Sequence, residues 1–235
     1  YAYDANGNVT SKIPQKIKHY VGVEAGISIS MTGETELPDY LTMEQYTYDG
    51  FGQRTKAVVN ETTASYTYSP DGLRVSKTVN GETTTHILDG ANVVADIQGT
   101  SISKYNRGRG LISIEQGGNK GYYVFNGHGD ITSIVDSSGT NFKGYYFSAY
   151  GENMLETGSG QFANPFGYAG EYTDEETGNI YLRARYYNPS TGRFLSEDPI
   201  KDGTNWYAYA GNNPVLYIDP WGLADIFLTG DRQYW

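Results

Sequence analysis

The sequence predicts an all-β protein built from stacked β-hairpins, and two observations carry that expectation. The first is composition: 30 glycines and 23 tyrosines among 235 residues, with only 38% hydrophobic residues. Tyrosine suits the pleated, half-buried surface of a strand and glycine suits tight reversals, so the mixture points to many short strands joined by turns. The second is internal repetition. Tyr46-Thr-Tyr48-Asp-Gly-Phe-Gly52-Gln-Arg54 matches Tyr66-Thr-Tyr68-Ser-Pro-Asp-Gly72-Leu-Arg74 at an offset of 20, and the register persists into Val59/Val79 and Asn60/Asn80.

Each element follows from this unit. Tyr1-Ala-Tyr3-Asp-Ala-Asn-Gly7-Asn8 is a copy at an offset of 45, and Tyr145-Tyr-Phe147-Ser-Ala-Tyr-Gly151-Glu152 is a looser one. In the unit, alternating residues ending in Tyr form a strand with one aromatic face. Asp or Asn then opens a turn, and a Gly four residues after the Tyr supplies a positive φ. The returning strand alternates again, as in Arg74-Val-Ser-Lys-Thr-Val79, and ends in the hairpin turn Asn80-Gly81. Residues 13–39 contain no repeat and read as an insertion, with Ile17, Val21, Val23, Ile27 and Ile29 suggesting strand pairing. Thr83 to Ile97, Ile102 to Tyr105, Leu111 to Ile114 and Gly121 to Val124 read as short strands. Asn126-Gly-His-Gly-Asp130 is a turn leading into the strand Ile131 to Val135. The only helical stretches expected lie within Asn205 to Ala210 or after Ala224. One hairpin cannot bury its apolar face alone, so the units must stack.

Charge and composition remove several function classes. Seventeen Lys and Arg against 27 Asp and Glu give a formal net charge of −10. That balance disfavours nonspecific binding of nucleic acid or anionic lipid and leaves a basic ligand or cargo open. There is no 18-residue apolar run, so no membrane span is expected. Cysteine is absent, which excludes disulfides, thiolate metal sites and thiol nucleophiles. His19, His86 and His128 lack metal-ligand spacing and read as surface or strand histidines, so neither metal nor cofactor is expected. Arg107-Gly-Arg109-Gly110 reads as a turn. The chain opens mid-motif at Tyr1, as an excised part of a larger polypeptide would, with any signal peptide upstream.

The last quarter is densest in uncommon motifs. Tyr181-Leu-Arg-Ala-Arg185-Tyr-Tyr-Asn-Pro189, Gly192-Arg-Phe-Leu-Ser-Glu-Asp198-Pro199, Tyr207-Ala-Tyr-Ala-Gly-Asn-Asn-Pro214 and Asp219-Pro-Trp-Gly-Leu223 follow one another within residues 170–223. Together they resemble the RHS repeat-associated core domain of polymorphic toxins, and the upstream units look like YD (tyrosine-aspartate) repeats. The resemblance implies a β-sheet wound into a spiral shell over residues 1–169. It also implies an inward-curling core plug over 170–223, and the start of a variable, covalently linked toxin cargo over 224–235. It implies further an upstream shell, a secreted or cell-surface bacterial setting, and a single-turnover reaction in cis.

By that resemblance Asp198 and Asp219 are the carboxylates of an aspartic-protease-like site, and the cut falls between Leu223 and Ala224. An Asp-Pro dipeptide alone is a turn starter. Two close carboxylates, however, can share a proton and provide one base and one acid, and sequence does not say which is which. Arg183 and Arg185 are two apart and would share a face of a strand. Either ordinary pairing with Glu175, Glu176 or Glu197 or the orientation of a catalytic carboxylate would explain them, and the motif favours Arg185. Arg193 reads as structural. Pro220, Trp221 and Gly222 complete the cleavage motif, with Trp221 and Leu223 expected to anchor it in an apolar groove. Asn188 stands where the family usually has Asp, and Asp202 is a decoy acid. The rival reading is a non-catalytic structural or adhesive module whose tyrosine faces stack on carbohydrate. A third is a fragment lacking the hairpins needed for activity.

Overall fold

The computed structural model describes residues 1–12, 43–158, 161–201 and 203–228. The expected insertion at 13–39 and the decoy Asp202 lie outside these, as does the chain beyond 228. Among the described residues fourteen strands form one antiparallel meander in which every strand pairs with its sequence neighbours. They are β1 (Ala2–Tyr3), β2 (Val9–Lys12), β3 (Glu44–Tyr48), β4 (Arg54–Val59), β5 (Thr62–Tyr68), β6 (Arg74–Val79), β7 (Glu82–Asp89), β8 (Asn92–Gln98), β9 (Ser101–Arg107), β10 (Leu111–Gln116), β11 (Asn119–Phe125), β12 (Ile131–Val135), β13 (Asn141–Phe147) and β14 (Asn153–Gly158).

The repeat unit explains six of the turns, five at one end of the sheet and Asp136–Gly139, between β12 and β13, at the other. Asp4–Gly7, Asp49–Gly52, Ser69–Gly72, Asn126–Gly129, Asp136–Gly139 and Ser148–Gly151 share one loop geometry. In each, the glycine N–H donates to the carbonyl of the first residue at 2.9–3.2 Å. Where that residue is Asp or Asn, its Oδ1 also accepts at least two backbone N–H groups, as Asp49 does from Phe51 and Gln53 at 2.9 Å each and Asn126 from His128, Gly129 and Asp130. The glycine closes the loop at positive φ, 78° at Gly52 and 86° at Gly72. In all six hairpins the ladder slips by one residue beside the loop, for example between Thr67 and Tyr68. Such bulges bend a strand and increase its twist, so a bulge in every unit curves the whole sheet. At the other end, Asn80 and Gly81 take φ 49° and 92°, as a type I′ hairpin turn requires.

The chain after β14 fills the buried face of this curved sheet. A four-stranded sheet of β15 (Tyr172–Asp174), β16 (Asn179–Leu182), β17 (Arg185–Asn188) and β18 (Arg193–Phe194) is followed by a 3-10 turn (Ala210–Asn212). The hairpin β19 (Tyr217–Ile218) and β20 (Ile226–Phe227) comes last. Ile226–Phe227 form a strand, and the remainder of the stretch after Ala224 where a helix was expected lies outside the described residues from 229 on. Val9, Tyr46, Ala57, Ala64 and Tyr66 of the sheet pack with Tyr181, Tyr186 and Leu195. Further along, Tyr105, Ile114 and Ile134 pack with Phe162, Phe166 and Tyr172. Gly121 is needed here, because a Cβ would lie 2.5 Å from Ile134 Cγ2 and 3.0 Å from Phe162.

Charge also crosses this interface. Arg54 and Arg74, equivalent positions of two repeats, point inward and are fully buried. Arg74 Nη1 donates to Asp174 Oδ2 at 2.6 Å, Arg54 Nη2 reaches the same oxygen at 3.3 Å, and Lys77 Nζ lies 3.4 Å from Oδ1 and 2.8 Å from Glu176. The guanidinium groups lie over tyrosine rings, Arg54 3.4 Å from the Tyr186 centroid and Arg74 4.5 Å from that of Tyr181. Burial alone would raise the Asp174 pKa, but Arg74, Lys77 and Arg54 reverse this and hold it well below the usual carboxylate range. His86, a strand histidine of β7 as one of the two expectations had it, is buried as well. Its Nδ1 lies 2.6 Å from Asp96 Oδ1, while the hydroxyls of Tyr105 and Tyr172 donate to Oδ2.

Candidate active site

The C-terminal strands bring Arg185, Asp198 and Asp219 together around an open cavity of about 270 Å³, lined also by Leu223, Ala224 and Asp225. Arg185 opens β17, one strand from the centre of the small sheet, with its guanidinium 3.6 Å from the Phe194 ring. Its Nη2 lies 3.5 Å from Asp198 Oδ2 and 3.4 Å from Asp219 Oδ2. Its Nη1 donates to the Trp206 carbonyl at 3.0 Å, and its Nε donates to the Gly222 carbonyl. One cation therefore touches both aspartates and the backbone just before the inferred cut.

Local sequence explains how each group is held. Asp198 caps its own turn, with Oδ1 accepting the Ile200 N–H at 2.8 Å, which leaves Oδ2 for Arg185. The Asp219 loop wraps around its own side chain, whose Oδ1 accepts the N–H of Leu223 at 3.0 Å and of Ala224 at 3.1 Å. Gly222 takes φ 66°, and a Cβ there would lie 2.8 Å from the Leu182 carbonyl and 3.1 Å from Arg185 N. Only glycine lets this loop press against the β16–β17 turn. Asp219 is buried, and burial raises its pKa even though Leu223, Ala224 and Arg185 all favour its charged form. Burial likewise raises Asp225, assisted by the negative charge of Asp219.

Several sequence expectations change. Arg183 does not share a strand face with Arg185, since it occupies the β16–β17 turn at φ 56°. It pairs with Glu171 and donates to the Pro220 carbonyl at 2.6 Å, so neither glutamate pair at 175–176 nor Glu197 is its partner. Trp221 is not held in an apolar groove. It is half exposed, with its ring 5.4 Å from the Arg183 guanidinium. Arg193 is exposed and does not line the cavity, although it reaches Asn205, which does, at 3.2 Å. Asn188 is buried and caps Ser190 and Thr191. The third carboxylate near Arg185 is instead Asp225, which sequence reasoning passed over because it lies beyond the motif, in the stretch assigned to variable cargo. Among the described residues no cluster of His, Asp or Glu could hold a metal ion, and no helix is long and apolar enough to cross a membrane.

Comparison with known proteins agrees with this architecture. A family model described as the teneurin YD-shell matches residues 1–215. The tRNA3(Ser)-specific nuclease WapA of Bacillus spizizenii is 36% identical over 94% of this chain, which spans 11% of that protein's length. The double-stranded DNA deaminase toxin A of Burkholderia cenocepacia is 26% identical over 99% of this chain, which spans 20% of it. The crystal structure of TcdB2-TccC3 matches with a TM-score of 0.63 at 25% identity, covering 77% of this chain and 10% of that one. Family model, relatives and fold coincide, and the chain belongs to the teneurin YD-shell family of RHS/YD-repeat proteins.

Proposed function

We propose that this chain is the end of a secreted toxin's shell together with its plug, and that the plug cuts the Leu223–Ala224 bond to detach a C-terminal toxin. The relatives named above are a nuclease and a deaminase toxin, each several times longer than this chain, which fits a shared shell carrying different cargoes. In this reading residues 1–169 are shell, 170–223 plug and 224 onward cargo. The observation that carries the reaction is the convergence of Asp198 Oδ2 and Asp219 Oδ2 on one nitrogen of Arg185, with Ala224 N 3.1 Å from Asp219.

The roles follow from that placement. Asp219 touches the nitrogen that must leave, and its raised pKa favours the protonated form that an acid needs. Asp198, which shares Arg185 Nη2 with Asp219, takes a proton from water as the water attacks the Leu223 carbonyl carbon. Asp219 then gives its proton to Ala224 N, the C–N bond breaks, and the products are a carboxyl group on Leu223 and an amine on Ala224. Arg185 holds both side chains and, through the Gly222 carbonyl, the chain beside the bond. The site turns over once, because its substrate is part of the same chain.

The test is intact-mass spectrometry of the denatured chain beside Asp198→Asn and Asp219→Asn. The wild type is expected to lose the twelve-residue Ala224–Trp235 peptide, with each variant slower by about 10²–10⁴-fold. A wild-type chain still whole after days at neutral and mildly acidic pH refutes the reading.

A further inference from the structure

Three successive residues at the β16–β17 turn donate to three successive carbonyls of the loop that carries the proposed cut. Arg183 Nη1 donates to the Pro220 carbonyl at 2.6 Å, the Ala184 N–H to that of Trp221 at 3.2 Å, and Arg185 Nε to that of Gly222. The series stops one residue before the carbonyl to be attacked, that of Leu223. Leu182 and Arg185 pair across the hairpin, so Arg183 and Ala184 are its two turn residues. Arg183 takes φ 56° there, a conformation that glycine adopts freely and other residues seldom do. A residue strained in this way persists only where its surroundings fix it, and Arg183 is fixed on both sides. Its guanidinium pairs with Glu171, and its Nη2 lies 3.4 Å from Asn92 Oδ1 at the start of β8. The turn is therefore tied to the large sheet as well as to the loop.

These contacts are blind to side chains. Every residue carries a carbonyl, proline included, so the turn can grip positions 220 and 221 whatever stands there, and the Trp221 ring is left half exposed. Within 220–222 only position 222 is read for identity. Its φ of 66° and a Cβ contact of 2.8 Å with the Leu182 carbonyl admit glycine alone. A slip of one residue would offer the turn three other carbonyls, but it would bring Trp221 or Leu223 into the place that only glycine fits. Closer to the bond, Asp219 Oδ1 holds Leu223 and Ala224 by their N–H groups, which are backbone again. We propose that Arg183–Ala184–Arg185 is a backbone-reading rail that sets where the chain is cut, one residue beyond Gly222, irrespective of the residues that follow. This rests on the cleavage reading above. It makes Arg183 a positioning residue, acting through the loop rather than on the reacting atoms.

The experiment is intact-mass spectrometry of the full chain with one alanine inserted between Leu223 and Ala224, beside the wild type. The cut is expected to stay after Leu223, so the body keeps its wild-type mass and the released peptide is one residue longer. A cut that moves beyond the inserted residue means that the far side of the bond sets the register, which overturns the rail and leaves cleavage standing. An inserted chain left whole beside a cut wild type overturns the rail as well. Arg183→Met, which removes the donors, is expected to slow cutting by about 10–10²-fold and to spread it over neighbouring bonds. Arg183→Lys, which keeps a cationic donor, is expected to restore a single cut after Leu223. Arg183→Met cut at the wild-type rate, or slowed with every cut still after Leu223, overturns the part given to Arg183. A wild type that stays whole overturns the cleavage reading, and the rail with it.

Discussion

Replacing Asp174 with asparagine tests how the plug is fixed to the sheet. Asp174 Oδ2 is shared by Arg74 at 2.6 Å and Arg54 at 3.3 Å, and Oδ1 faces Lys77 at 3.4 Å. The side chains of Asp174, Arg54 and Arg74 are at most 1% exposed, so water cannot take the carboxylate's place. Asparagine keeps the shape and an acceptor oxygen but removes the charge. Lys77 retains Glu176 at 2.8 Å, whereas Arg54 and Arg74 lose their carboxylate. Breaking a buried ion pair costs about 3–5 kcal/mol, because a charge is stranded. The tyrosine faces over both guanidinium groups offset part of a second loss, at about 0.5–2 kcal/mol per contact, so the total should stay near ~4 kcal/mol. Against a typical stability of about 5–15 kcal/mol that is about a quarter or more. With a urea m-value of about 3 kcal/mol/M, the midpoint followed by far-UV circular dichroism should fall by roughly 1.3 M. The native pKa of Asp174 is depressed, so its contribution is complete above the unfolded value near ~3.9 and lost as pH falls through the lower native value. The gap between wild type and variant should therefore persist at pH 5 and close only in strong acid. A midpoint shift below about 0.3 M, or a gap already closed at pH 5, refutes the argument.

Two further predictions concern the site. Gly222→Ala places a Cβ 2.8 Å from the Leu182 carbonyl on a residue at φ 66°. The loop should lift from Arg185, slowing cleavage at least about tenfold while costing only ~1–2 kcal/mol of stability. A cleavage time course at wild-type rate removes the loop from the reaction. In the proposed reaction Asp219 is the proton donor, and burial raises its pKa, so the donor is kept to higher pH than an ordinary carboxyl and lost as pH rises through the raised value. Cleavage near pH 5 should therefore exceed that near pH 8 by about tenfold or more. A flat profile, or one rising with pH, argues against Asp219 as the acid.

The fold was legible because its signal is local and repeated. A Tyr, an Asp or Asn, and a Gly four residues on define a loop through hydrogen bonds made within five residues. Asp136–Gly139 and Asn126–Gly129 escaped as repeat copies because β12 is short and the flanking aromatic of the unit is Val135 in one of them. The loops carry the geometry even so. A wound sheet was implied by the resemblance alone; the one-residue slip beside each loop, which bends a strand, is not something pattern distinguishes from a flat ladder. Inward-pointing Arg54 and Arg74 were also hidden, since a charged residue at a strand start ordinarily faces water. Only their common destination, Asp174, a hundred or more residues away, makes them core residues.

The site divides along the same line. Asp198, Asp219 and Arg185 stood out because each sits in an uncommon motif. Their relation rests on contacts that no spacing encodes: Arg185 and Asp219 are 34 residues apart, one on the four-stranded sheet and the other in the loop after β19. Arg185 is placed by its neighbour as well. Tyr186 turns to the opposite face of β17, packs under the Arg54 guanidinium at 3.4 Å and bonds the Tyr68 hydroxyl at 3.0 Å. Adjacent residues of one strand thus face the shell wall and the candidate reaction centre. A strand fixed on one face cannot rotate on the other, so the wall that the repeats build also orients the guanidinium that gathers both aspartates. The C-terminal strands repeat only in part, Tyr172–Gly178 matching Tyr186–Gly192 at an offset of 14. The two copies diverge where they meet different neighbours: Asp174 binds Arg54 and Arg74 of the large sheet, whereas Asn188 at the equivalent position caps its own turn.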